Sequence, residues 1–244
     1  MRILVTRPQP EAQALCDRLT ALGHEAIVDP LLTVEFLDFD IANPARYAGI
    51  VVTSRNALRG LARSAQLRAA LGKSPLFAVG PATAELARSL GFGDVVMGRG
   101  TAVDLPDTVS LRLRPAAGPL LSLTAEMRAF DVAAALRARR YDVDEAIVYR
   151  TAPATAFQPG TLVRLAEGSI DAVMLLSPRT AQTYASLIAK HNHLKNIDKI
   201  AHLCLSCAVA DRLSPLAPLT IRKAAYPNLE ELLALAASEA KPSP

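Results

Sequence analysis

The sequence predicts a parallel α/β protein built as two similar lobes, and three observations carry that expectation. Short apolar runs alternate with segments of about 3.6-residue periodicity, the pattern of strands joined by crossover helices. The strand ends run repeatedly into Ser, Thr or Gly and then straight into a helix. The second half of the chain echoes the first, in the same order though degenerately.

Taken in order, Ile3 to Thr6 reads as a buried strand followed by Pro8 and Pro10. Ala12, Leu15, Cys16, Leu19 and Leu22 then recur at helical spacing, and Gly23 ends that helix from the position just past its last turn. Ala26 to Val28 is a second strand leading to Pro30. Ile50 to Val52 is a strand whose continuation, Thr53-Ser54, caps a helix with Ala57, Leu58, Leu61 and Ala62 on its apolar face. Leu76 to Val79 repeats the device, with Gly80-Pro81 opening a helix from Ala82 to Leu90 that Gly91 closes.

The echoes begin at Leu120 to Thr124, a strand followed by a helix bearing Val132, Ala133 and Leu136, then by Asp144 to Val148. That unit matches the opening strand, helix and strand through Glu25-Ala26-Ile27-Val28. Val52-Thr53-Ser54-Arg55-Asn56-Ala57 is matched by Leu176-Ser177-Pro178-Arg179-Thr180-Ala181, and Phe77 to Ala84 by Leu203 to Ala210. A last helix starts at Asn228, with Glu231 completing a capping box and Leu229, Leu232, Leu233 and Ala236 on one face.

Composition bounds the function. At about 150 residues per domain, 244 residues suit one large domain or two small lobes. With 51% hydrophobic against 20% charged residues, global disorder is excluded. A formal charge of +4, from 27 Lys and Arg against 23 Asp and Glu, is too mild for a non-specific nucleic-acid binder and suits anionic small molecules. Aromatics at 5% with no Trp leave little for stacking on single strands. Three cysteines, Cys16, Cys204 and Cys207, form no disulfide framework, which points to a reducing, cytoplasmic setting. The opening apolar run is closed by Arg7-Pro8 and reads as a strand, not a signal peptide; no stretch nears the roughly 20 apolar residues of a membrane span, so no membrane partner is expected.

The chemistry-bearing pattern is the set of strand ends at Thr6-Arg7, Thr53-Ser54, Gly80-Pro81, Thr124-Ala125, Ser177-Pro178 and Ser206-Cys207. In a parallel sheet such ends share one edge, and each helix start offers unsatisfied N–H groups and about half a positive charge to an anion. Two facing lobes would frame a cleft of carboxylate cradles; singly, each Ser or Thr is equally an ordinary N-cap. Cys204 and Cys207 have C-x-x-C spacing without a second pair, and the flanking apolar strand predicts buried thiols instead of a metal or redox site. His191 and His193, with His202 nearby, read as solvated loop histidines. Gly91-Phe92-Gly93 and Gly98-Arg99-Gly100 fit neither phosphate-loop nor dinucleotide spacing. Arg137, Arg139 and Arg140 sit at a helix C-terminus, where cations complement the dipole. Tyr149, in Ile147-Val148-Tyr149-Arg150-Thr151, ends a strand where the chain crosses back; it is placed to present a phenol to the cleft or to pack.

These residues resemble the uroporphyrinogen-III synthase family. The similar segments are Leu4-Val5-Thr6-Arg7-Pro8 with Leu22-Gly23-His24 and Pro30-Leu31-Leu32, Val52 to Ala57, Ala78 to Ala84, Val148-Tyr149-Arg150-Thr151, Leu176 to Ala181, and Cys204-Leu205-Ser206 before Val209-Ala210. Together they span nearly the whole chain. The sequence departs from the family at Arg55, where a small residue is common, and at Cys207-Ala208-Val209, where many members keep a Gly-Pro-Thr-Thr-like stretch.

The resemblance implies two flavodoxin-like lobes that are not consecutive: 1–34 plus 152–244 in one, 38–148 in the other, with hinge segments at 33–38 and 149–154 and the ligand cleft between the lobes. It implies cyclisation of hydroxymethylbilane, a linear tetrapyrrole octacarboxylate, to uroporphyrinogen III, without metal or organic cofactor, by a monomer in the cytoplasm. Beyond substrate and product, it leaves room for a transient contact with the enzyme of the preceding step. Tyr149 matches the tyrosine proposed as proton donor, and Thr83 and Ser177 match cleft-lining positions. Thr6, Arg7, Thr53, Ser54, Asn56, Gly80, Pro178, Arg179 and Ser206 complete the expected substrate contacts. A non-catalytic two-lobe module binding an anionic ligand is the competing class.

Overall fold

The computed structural model describes residues 1–128, 130–191 and 197–239. The apolar runs become strands β1 (Arg2–Val5), β2 (Glu25–Val28), β3 (Leu32–Phe36), β4 (Gly49–Val52), β5 (Leu76–Ala78), β6 (Val95–Met97), β7 (Leu120–Ala125), β8 (Val143–Pro153), β9 (Ala172–Leu175), β10 (Ala201–Cys204) and β11 (Thr220–Lys223). The helices are α1 (Glu11–Ala21), α2 (Arg55–Ala62), α3 (Ala65–Leu71), α4 (Pro81–Ser89), α5 (Leu105–Arg112), α6 (Val132–Ala138), α7 (Pro159–Glu167), α8 (Pro178–Lys190), α9 (Cys207–Ala210) and α10 (Leu229–Glu239).

The chain divides into two compact units, one of Met1–Thr33 with Ala152–Pro244 and the other Val34–Thr151. The first holds a sheet in the order β11-β10-β9-β1-β2, parallel throughout. The second holds β3-β8-β7-β4-β5-β6, parallel from β8 to β6. When each strand is matched to its sequence echo, the two orders coincide: β2-β1-β9-β10-β11 corresponds to β8-β7-β4-β5-β6. In the first unit this is the doubly wound flavodoxin-like order, with its topological switch point between β1 and β9; the equivalent point of the second lies between β7 and β4.

Of the segments expected as crossing hinges, 33–36 lie in β3 and 149–153 in β8. Leu37 N–H donates to Val148 O, and Ala154 N–H to Leu31 O, each at 3.0 Å, so β3 runs antiparallel to β8. Arg150 and Glu35 form a bidentate ion pair on that ladder, at 2.8 and 3.0 Å.

Every central strand is buried on both faces because helices cover the sheets, which is why the strands read as continuous apolar runs. In the first unit Leu4, Val173 and Leu175 pack under α8 through Ala181, Tyr184 and Ile188, while Ile3, Val5 and Met174 pack under α1 and α10. In the second, Ile50 and Val52 meet Leu58 and Leu61 of α2, while Val51 and Phe77 meet Val109 and Leu136.

Two sequence expectations fail here. His202 is not in a loop; it lies within β10, fully buried, because its neighbours Ala201, Leu203 and Cys204 make a central strand. Its Nε2 meets the Tyr184 phenol at 3.2 Å and its Nδ1 the Thr220 carbonyl at 3.3 Å, and burial pushes its pKa down to about 4. The cysteines separate: Cys204 is buried, its thiol pushed up to about 12, whereas Cys207 starts α9 and is exposed. His193 lies outside the described residues.

Candidate functional site

Because the strands that carry them run parallel within each sheet, the predicted strand ends share one edge within each unit. In the first unit these are Thr6-Arg7 after β1, Ser177-Pro178-Arg179 after β9 and Ser206 after β10. In the second they are Thr53, Ser54 and Asn56 after β4, and Gly80 and Thr83 after β5. Tyr149 joins them from β8, where it pairs with Ala125, the last residue of β7, just past a register shift.

The hydroxyls are not equivalent. Thr6 is fully buried and donates to Met174 O at 2.7 Å, a tie between β1 and β9 that turns its side chain inward. Ser177 caps α8: its Oγ accepts from Thr180 N–H at 3.1 Å and lies 2.7 Å from Thr180 Oγ1. Ser54 caps α2 by accepting from Asn56 N–H at 3.0 Å, and Asn56 Oδ1 accepts from Arg59 at 2.6 Å. Ser206 makes no side-chain cap, and the α9 that it precedes has only four residues.

The β5–α4 turn differs. Gly80 brings no capping side chain and Pro81 no N–H, so the first-turn amides of Ala82 and Thr83 have no side-chain cap from that position. Gly80 lets the backbones approach closely: a Cβ there would lie 3.1 Å from Gly100 Cα, tighter than ordinary contact. The Gly98-Arg99-Gly100 segment folds onto the end of β5, with Gly98 N–H donating to Ala78 O at 2.7 Å and Gly100 N–H to Val79 O at 2.8 Å. Sequence reasoning set this segment aside for its spacing. The usable signal was its position directly after β6, where two glycines let backbone pack on backbone.

Tyr149 is buried, 8% exposed, within the apolar core of its unit. Burial raises its phenol above the usual tyrosine range, and the Ser54 hydroxyl bonding to it pulls the other way. The phenol is therefore protonated at neutral pH, a donor and not a base. Among the described residues no three His, Cys, Asp or Glu side chains gather as a metal-binding group, and no helix is long and apolar enough to cross a membrane.

A profile of the family described as uroporphyrinogen-III synthase HemD matches residues 13–234. The chain belongs to the uroporphyrinogen-III synthase family. That family places it in tetrapyrrole biosynthesis. The fold agrees. It is similar to the crystal structure of uroporphyrinogen-III synthetase from Helicobacter pylori 26695, with a TM-score of 0.66 at 17% identity over 98% of this chain and 99% of that one. It is also similar to a mutant uroporphyrinogen III synthase from the extremely thermophilic bacterium Thermus thermophilus, with a TM-score of 0.57 at 17% identity over 99% of this chain and 100% of that one. No curated protein matches the chain.

Proposed function

We propose that this chain is a uroporphyrinogen-III synthase that converts hydroxymethylbilane to uroporphyrinogen III with loss of water and inversion of ring D, using no metal or organic cofactor. The observation that carries this reading is the family match over residues 13–234. In the proposed reaction the electron-rich pyrrole expels the terminal hydroxyl as water, leaving an azafulvenium electrophile. The substituted α-carbon of ring D attacks it to give a spiro-pyrrolenine, which fragments and recloses with the ring inverted. Closure without inversion needs no enzyme, so the protein's work is to fold the substrate into one geometry and stabilise the charge that develops.

The residues fit those tasks. Carboxylates of the substrate are held by helix starts at the carboxyl edges of the sheets, chiefly the α4 amides beside Gly80 and the first turns of α2 and α8. Arg7 and Arg179 add fixed positive charge at the same edge of the first unit. Tyr149, kept protonated by burial, gives a proton to the departing hydroxyl, and the Ser54 hydroxyl together with the α2 N-terminus stabilises the phenolate left behind. Thr6 serves by fixing the turn that carries Arg7.

The test is to supply purified protein with enzymatically generated hydroxymethylbilane and score the isomers formed. Predominant isomer III, unaffected by prolonged chelation, is the expected result. Isomer I alone would leave the chain a binding module, and activity lost to chelation and restored by added metal would overturn the cofactor-free mechanism.

A further inference from the structure

The first unit carries a recess of about 390 Å³ that meets the site above at Arg179 and extends beyond it along α8. One wall is a stripe of α8, in which Arg179, Gln182, Ser186 and Lys190 recur at three- and four-residue spacing; the other is the segment leaving β8, with Thr155. Among the described residues its lining is cationic at both ends, amide and hydroxyl between, and holds no Asp or Glu. Lys190 Nζ is already turned toward this space, 3.4 Å from Thr155 O. Leu187, itself buried, supplies an apolar patch midway. The Cα atoms of Arg179 and Lys190 lie about 16 Å apart along the helix, from 1.5 Å per residue, and both side chains are long enough to shorten that span.

A recess with that lining selects an elongated dianion with an apolar middle. We infer that it seats the carboxylate arms of one pyrrole unit of the substrate, with Lys190 as the far anchor and Arg179 as the link to the α8 helix start. The inference rests on the function proposed above. It makes α8 a binding element along its length, and makes Lys190 a specificity determinant for the number of carboxylates, remote from the reacting carbons.

The expected signature is a binding effect without a chemical one. Uniform binding lost from a remote anchor raises KM and leaves kcat and the isomer ratio unchanged. Exposed ion pairs are modest, so Lys190→Gln should raise KM about 2- to 5-fold and Lys190→Glu about 5- to 20-fold, both shrinking at high salt, with Lys190→Arg restoring the parent value. The same ranking is expected for the affinity of the stable octacarboxylate uroporphyrin III, followed by its fluorescence, which needs no turnover. Lys199→Glu, an exposed reversal elsewhere on the unit, controls for net charge. If wild-type protein forms isomer III but Lys190→Glu keeps parental KM and uroporphyrin affinity, or if Lys199→Glu matches it, the recess is not a subsite while the catalytic reading stands. If wild-type protein forms no isomer III, the catalytic reading itself has failed.

Discussion

The matched positions just past β2 and inside β8 hold different residues and do different work; Tyr149, read from sequence as ending a strand, lies within β8, which runs on to Pro153. Ile27-Val28-Asp29 in the first unit corresponds to Ile147-Val148-Tyr149 in the second. Asp29 and Tyr149 are both buried, 2% and 8% exposed, and burial raises both above their ordinary titration ranges. Asp29 is fully employed inside its own unit: its carboxylate accepts from Gln158 N–H at 2.9 Å and from the Thr161 hydroxyl, capping α7 from a distance in sequence. Tyr149 instead faces a hydroxyl at a helix start. A second contrast runs parallel. The β5 end opens into the nine-residue α4 without a side-chain cap, whereas the matched β10 end opens into a single four-residue turn. The two matched edges thus differ: the second unit has the longer helix after its β5 end, and the phenol.

The largest test of this contrast is Tyr149→Phe. Turnover should fall about 100-fold, near the low end of general-acid effects because the pyrrole itself drives hydroxyl loss, while KM changes little. Full activity at an unchanged isomer ratio would return Tyr149 to a packing role.

The pH dependence of stability should be set mainly by the first unit. His202 titrates near 4 when folded and about 6.5 when unfolded, so between those values the unfolded chain binds the extra proton. Stability is thus fully present above about pH 6.5 and falls as pH drops toward 4, by on the order of 2–3 kcal/mol. His24, also lowered by burial, adds to the loss in the same direction. Denaturant midpoints at pH 7.5 and 4.5 measure this, and a His202→Asn variant should show a flatter profile; an equally steep one would assign the effect elsewhere.

Asp29→Ala should cost about 1–3 kcal/mol by leaving Gln158 N–H and Thr161 without their acceptor, with Asp29→Asn losing less. The protein that remains folded should keep its kcat; a collapse of kcat at normal stability would mean that the β2 end also takes part in chemistry. Smallest are Thr83→Ala and Ser177→Ala, each expected to raise KM only a few-fold because neighbouring amides still meet the same carboxylates. A loss in either exceeding that of Tyr149→Phe would reverse the ranking of side chain over backbone.

The strands of both units were legible because parallel strands covered on both faces leave uninterrupted apolar runs, and the helix starts because Ser54, Gly80-Pro81 and Ser177 carry strong local signals. Residues whose role is decided across the fold were not. Nothing local distinguishes Thr6, tied inward to Met174, from Ser177 at an open helix start. His202 sits beside Ala201 and Leu203 in a strand too short to outweigh its polarity, and partners 18 residues away, Tyr184 and Thr220, help make its burial tolerable. Asp29 was silent because its partner amide lies 129 residues on.

The interleaved order of the units also fixes the sequence in which they can be completed on a ribosome. The hydrogen bond from Thr6 to Met174 closes over 168 residues, while all of Val34–Thr151 emerges in between. At about 5–20 residues per second, the side of β1 that pairs with β9 waits on the order of ten to thirty seconds for its partner, although β2 and α1 follow β1 directly, while the second unit is already free to fold. The unpaired β9 side of β1 is therefore an open strand edge through which a nascent chain is exposed to aggregation and to chaperone capture.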